Sequence, residues 1–169
     1  MLVPLFVDAS SQSLHAVLTR RRSDLRRHAG EISFPGGRQD PDDPQLSYTA
    51  LREAEEEIGL PRDQVALIGE LTPVSTFVTG YLIHPFVGLI APGQVWRLSP
   101  HEVDGVLELS LRALRDGRTR TRLERRGISF ETDAYVVDDH LIWGATARII
   151  GELLERVRQD APGAPPRLS

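Results

Sequence analysis

The strongest chemical signal in this chain is a short acidic run, Arg52-Glu53-Ala54-Glu55-Glu56-Glu57-Ile58-Gly59-Leu60. On a helix turning about 100° per residue, Glu53, Glu56 and Glu57 fall within an arc of about 100°. Leu51, Ala54 and Ile58 lie on the other side as an apolar stripe. One face is therefore built for burial, and the other gathers three carboxylates. Like charges at this spacing repel by roughly 0.2–0.5 kcal/mol per pair in an isolated helix. A divalent cation removes that repulsion and binds phosphate oxygens at the same time. A plain solvated acidic face is the competing reading. The flanks favour metal: Arg52 can orient Glu53 through a forked hydrogen bond, and Gly36-Gly37 upstream allows close backbone approach to the helix.

The elements that must position these groups follow from the pattern. Met1–Ala9 and Ser13–Thr19 read as strands joined by a polar hairpin turn. Because the first strand begins at Met1, a longer natural chain is one expectation. A basic stretch, Arg20–Arg27, leads through His28-Ala29-Gly30 to Phe34-Pro35-Gly36-Gly37, a tight turn. Ser47 or Thr49 is expected to cap a helix running from Ser47 to Ile58, with Gly59 ending it. Val65–Leu71 reads as a strand, and Tyr81–Ile90 as a buried one. Pro100–Leu109 combines an acidic loop with a strand. Arg118–Arg122 and Ile128–Val137 suggest a hairpin. Trp143–Val157 reads as an amphipathic helix, with Trp143 on its apolar face. Residues 160–169, rich in proline, read as a tail. Strands mixed with two principal helices give an α/β domain over residues 1–159, a mixed sheet packed between helices.

Composition sets the limits. The chain has 169 residues, a net charge of −4 and no cysteine. Disulfides and thiolate sites are excluded, so a metal must sit on Asp, Glu or His. Neither a nucleic-acid partner nor a membrane span is expected, and the cytoplasm is the expected setting. All 20 basic residues are arginine. A GC-rich coding sequence is enough to explain that, and phosphate recognition by forked guanidinium groups applies only at particular positions.

The acidic run resembles the box of the Nudix hydrolases: Gly, five residues, Glu, seven residues, then Arg-Glu-apolar-x-Glu-Glu-x-Gly-apolar. Arg52 to Leu60 matches its second half throughout. The first half departs, since Gly37 is followed after five residues by Asp43 rather than Glu, and eight residues separate Asp43 from Arg52. Upstream, Leu18-Thr19-Arg20-Arg21, Leu25-Arg26, His28-Ala29-Gly30 and Phe34-Pro35-Gly36-Gly37 look like the signature of the coenzyme A diphosphatases of that family. Arg22 and Ser23 stand where Ser and Ala are usual. Val78-Thr79-Gly80-Tyr81 and Ile142 to Arg148 look like later segments of the same group.

The resemblance implies a Nudix fold, a mixed β-sheet sandwiched between α-helices. It implies hydrolysis of the coenzyme A diphosphate with magnesium or manganese, giving 3′,5′-ADP and 4′-phosphopantetheine. Glu53 and Glu57 are the implied primary ligands, with Glu56 close behind and Arg52 orienting Glu53. The general base is a box glutamate such as Glu53 or Glu56, or a distant residue such as Glu102. Arg20, Arg21, Arg26 and Arg27 are candidates for phosphate contact. His28 either contacts phosphate or closes the turn, and Gly36 and Gly37 allow close approach. Phe34 is expected to pack. The partner is a small nucleotide, and a homodimer is among the expected arrangements. A Nudix enzyme for another substrate such as ADP-ribose, and a non-catalytic nucleotide-binding module, are the alternatives.

Overall fold

The computed structural model describes residues 1–23, 30–76, 80–125 and 127–159. Arg26, Arg27 and His28, together with Val78, Thr79 and the tail at 160–169, lie outside the described residues.

Strand β1 (Leu2–Val7) is apolar along almost its whole length, and the structure buries both of its faces. This is the pattern of a central strand with cover on either side. It pairs antiparallel with β2 (Leu14–Arg21) and parallel with β7 (Phe86–Leu89). Beyond β7 lies β4 (Ala66–Glu70). The other edge of β2 carries β8 (Val103–Ser110), while β3 (Ile32–Ser33) continues beside Thr19 and Arg20. The result is a mixed sheet with both pairing types.

Side chains alternate across this sheet. Leu2, Phe6 and Val17 face one way and pack with Ala50, Ala54, Ile58 and Leu60 of and after helix α1 (Leu46–Ile58). Val3, Leu5, Ala16 and Leu18 face the other way, onto Phe34, Tyr135, Ile142, Ile149 and Ile150. That second layer contains helix α2 (Leu111–Asp116), helix α3 (Gly144–Gln159) and a three-stranded antiparallel sheet of β9 (Arg118–Arg125), β10 (Ile128–Val137) and β11 (His140–Trp143). The expected mixed sheet between helices is observed, and Phe34 packs as expected, wholly buried.

Three expected elements need correction. Helix α1 begins at Leu46 after Gln45, with no side-chain cap; Thr49 lies inside the first turn, and its hydroxyl bonds Asp43 instead. The expected strand Tyr81–Ile90 is two short strands, β6 (Leu82–Ile83), paired with β5 (Val74–Ser75), and β7. His84-Pro85 separates them, because proline has no N–H for a ladder, and Tyr81 and Leu82 are exposed. Trp143 ends β11 rather than beginning a helix. Gly144 has φ 68°, a left-handed conformation suited to glycine, so the chain turns there before α3 starts.

Candidate active site

Helix α1 buries Ala50, Ala54 and Ile58, which turns Glu53 and Glu57 toward the Pro35–Arg38 turn. Glu57 is 4% exposed. Its carboxylate accepts a hydrogen bond from the Gly36 N–H at 3.2 Å. The Glu53 carboxyl lies against Gly37 so closely that a β-carbon there would stand 2.4 Å from it. Only glycine leaves that space. The amino group of Met1 is close to both carboxylates, and burial brings its pKa down to about 6.

Loop residues 97–102 bring in a third carboxylate. The Arg97 and Ser99 N–H groups bond the carbonyls of Ile58 and Glu57 at 2.9 and 2.8 Å, using acceptors left over at the helix end. The Ser99 carbonyl in turn accepts from the N–H of Glu102. Arg22 donates from its backbone to the Glu102 carbonyl and from its side chain to the Pro100 carbonyl. The arginine that departs from the upstream signature therefore fastens the loop carrying Glu102.

The electrostatics follow from this crowding. Burial pushes Glu57 up to about 7; the Gly36 N–H opposes this, Glu102 and Glu53 add to it, and Arg21 opposes. Burial also raises Glu53, against the pull of Arg52, while Glu56 and Glu102 add to the rise. Arg52 and Arg21 offset this crowding only in part, since both pKa values stay raised, and a hard divalent cation adds positive charge through oxygen ligands. The donor set therefore fits such an ion. Among the described residues no three Asp, Glu or His side chains are grouped closely enough to hold an ion alone. Magnesium is commonly held by one or two carboxylates, with water and substrate phosphate completing the shell. Glu56 is 57% exposed and pairs with Arg52 at 3.0 Å.

Arg52 does not place its fork on Glu53, as the sequence suggested. Its Nε and Nη2 engage both oxygens of Asp43 at 3.0–3.3 Å, with a single contact to Glu53 at 3.0 Å. Asp43 is buried and also accepts from Thr49 Oγ1 and the Asp40 N–H. The Arg52 hydrogen bonds hold its carboxyl well below the usual carboxylate range. The sequence assigned Asp43 no role, and the structure shows it gripping Arg52. Its one signal was a carboxylate near the box position with altered spacing.

The two adjacent arginines of β2 part company. Arg21 reaches toward Glu57, and its Nε is buried with no hydrogen-bond partner among the described residues. Arg20 points to the other face, bonded to Asp104 at 2.7 Å. There it lines a cleft of about 390 Å³ with Asp139, His140 and Trp143.

Comparison with known proteins agrees with this geometry. The NUDIX domain model matches residues 3–127. The uncharacterized Nudix hydrolase NudL of Photorhabdus laumondii is 42% identical over 144 residues, covering 84% of this chain and 76% of its own length. NudL of Salmonella paratyphi B is 43% identical over 139 residues, covering 81% and 72%. The fold is shared with the MutT protein of Methanosarcina mazei, at TM-score 0.59, 19% identity and 94% coverage of both chains. It is also shared with the NUDIX domain of Shewanella oneidensis NrtR, solved in complex with ADP ribose, at TM-score 0.56, 14% identity, and 92% and 86% coverage. Nudix hydrolases generally use divalent metal ions. The chain belongs to the Nudix hydrolase family, whose members act on nucleoside diphosphate derivatives.

Proposed function

We propose that this protein hydrolyses the diphosphate of coenzyme A or its derivatives, releasing 3′,5′-ADP and 4′-phosphopantetheine, with magnesium or manganese in the cytoplasm. One observation carries the reading. A single strand, β2, sends Arg21 toward the acidic cluster and Arg20 to a cleft on the opposite sheet face. A substrate with both a diphosphate and a separate 3′-phosphate calls for cations at two places, and Arg20 would exchange Asp104 for that phosphate. The upstream residues that resemble the coenzyme A diphosphatase signature include this pair.

Glu53 and Glu57 would hold the ion, with Glu56 within reach one turn away. When bound, the ion neutralises charge on the diphosphate and acidifies the attacking water. Asp43 fixes Arg52, and Arg52 fixes the Glu53 carboxylate. Arg21 adds positive charge at the Glu57 end of the site. Water adds to one phosphorus as the bridging P–O bond breaks, and its proton passes to a carboxylate. Glu102, on the loop that Ser99 fastens to the end of α1, is our candidate for that role.

The test is a panel of diphosphate substrates assayed with magnesium and with manganese, with products identified by mass. Coenzyme A should be cleaved to the two named products, faster than dephospho-coenzyme A. Equal rates for those two would remove the 3′-phosphate site. Preference for ADP-ribose would replace the substrate, and binding without turnover would replace the enzyme with a binding module.

A further inference from the structure

The Gly37-Arg38 peptide is held between the two most constrained groups of the site. Gly37 lies against the Glu53 carboxyl, and the Arg38 carbonyl accepts from Arg52 Nη2 at 3.0 Å. The Arg38 side chain therefore starts at the rim of the acidic cluster, at its Glu53 end. Arg21 stands at the Glu57 end.

The Arg38 guanidinium lies over the Tyr81 ring, 4.5 Å from its centroid. Tyr81 comes from a different element and is itself held. Its carbonyl accepts from the Thr76 N–H at 2.9 Å, and its N–H donates to Thr76 Oγ1 at 3.0 Å. The β5–β6 hairpin is in turn fastened to α3, where Arg148 donates to the Ser75 carbonyl at 3.0 Å. Among the described residues Arg38 has no carboxylate partner, whereas Arg52 contacts four. Stacking occupies the face of a guanidinium and leaves its N–H fork in the plane free. The exposed Tyr81 ring is thus a platform for a cation whose donors are unspent.

We propose that Arg38, steadied on Tyr81, is a substrate-binding residue of the hydrolase, gripping non-bridging phosphate oxygens at the Glu53 end of the site. The inference rests on diphosphate hydrolysis but not on coenzyme A as the substrate. The fork distinguishes a phosphate pair from a point charge, so lysine is an incomplete substitute.

The experiment uses the full chain and whichever panel substrate the wild type cleaves fastest, so a wrong substrate assignment does not mask the result. R38A should raise KM by about tenfold or more, with the thermal midpoint and the manganese dependence of turnover unchanged. R38K should recover part of that loss. Y81L should raise KM and add little on top of R38A. The R38A penalty should shrink at high ionic strength. An unchanged KM in R38A, a penalty fully additive with Y81L, or a fall in thermal midpoint that accounts for the loss would overturn the proposal. If the wild type cleaves no diphosphate substrate, this inference and the proposed function fail together.

Discussion

Glu57→Gln separates the cost of the site from its use. In the metal-free protein the Glu57 carboxyl titrates near 7 rather than at its ordinary 4.5, chiefly because it is buried. The folded state therefore holds that proton more tightly than the unfolded chain does. Its contribution to stability is complete below about 4.5 and is lost as pH rises through about 7. By pH 8 the loss amounts to about 3 kcal/mol. Glutamine has no proton to lose, and its amide oxygen can still accept from the Gly36 N–H. In EDTA at pH 8 the variant should be the more stable protein by up to about 3 kcal/mol, which is roughly 6–12 °C for a domain of this size. The gap should close toward pH 5. Manganese should reverse the order, stabilising the wild type by binding the folded state and the variant far less. Turnover should fall about a thousandfold, the equivalent of several kcal/mol of charge stabilisation. Thermal melts by circular dichroism at pH 5, 6.5 and 8, with EDTA or manganese, read the first effects, and chromatographic quantification of 3′,5′-ADP reads the last. A variant no more stable than wild type at pH 8 without metal, or equally stabilised by manganese, would refute the reasoning.

Other expectations follow from the same contacts. Asp43→Asn removes the charge that grips Arg52 and should lower kcat by about 10- to 100-fold while the fold persists; an unchanged kcat would deny Asp43 its positioning role. Gly37→Ala would put a methyl group 2.4 Å from the Glu53 carboxyl, so turnover should drop sharply with intact far-ultraviolet circular dichroism, and a fully active variant would contradict the packing. Glu152 accepts from the Thr72 N–H and hydroxyl at 2.9 Å, so Glu152→Ala should cost about 1–2 kcal/mol at pH 7. Glu152 has a lowered pKa, so that difference should fade as pH falls below 4.5; denaturant titrations at pH 7 and pH 3 compare the two.

Local signals in the sequence read well. The apolar stripe of α1 and its carboxylate face are set by spacing alone, and the structure buries the expected side. Glu102 was named from an acidic loop, and the structure fastens that loop to the end of α1, where its charge acts on Glu53 and Glu57. What escaped was nonlocal. Asp43 finds Arg52 across nine positions, through a loop whose path no periodicity reports. Trp143 continues the helical pattern in apolar character, but the pairing of β11 with Ala134–Val137 claims it for a sheet. The opposite directions of Arg20 and Arg21 follow from strand alternation, yet β3, β8 and the cleft beside Arg20 had to be assembled before that alternation had meaning.

The grip of Asp43 on Arg52 carries a lesson about inheritance. Aspartate is one methylene shorter than the glutamate the family box calls for, and the segment leading from it to Arg52 is one residue longer. With both departures present, the carboxylate meets the guanidinium. Fixed spacing hides this half of the box, although its carboxylate grips the arginine of the other half.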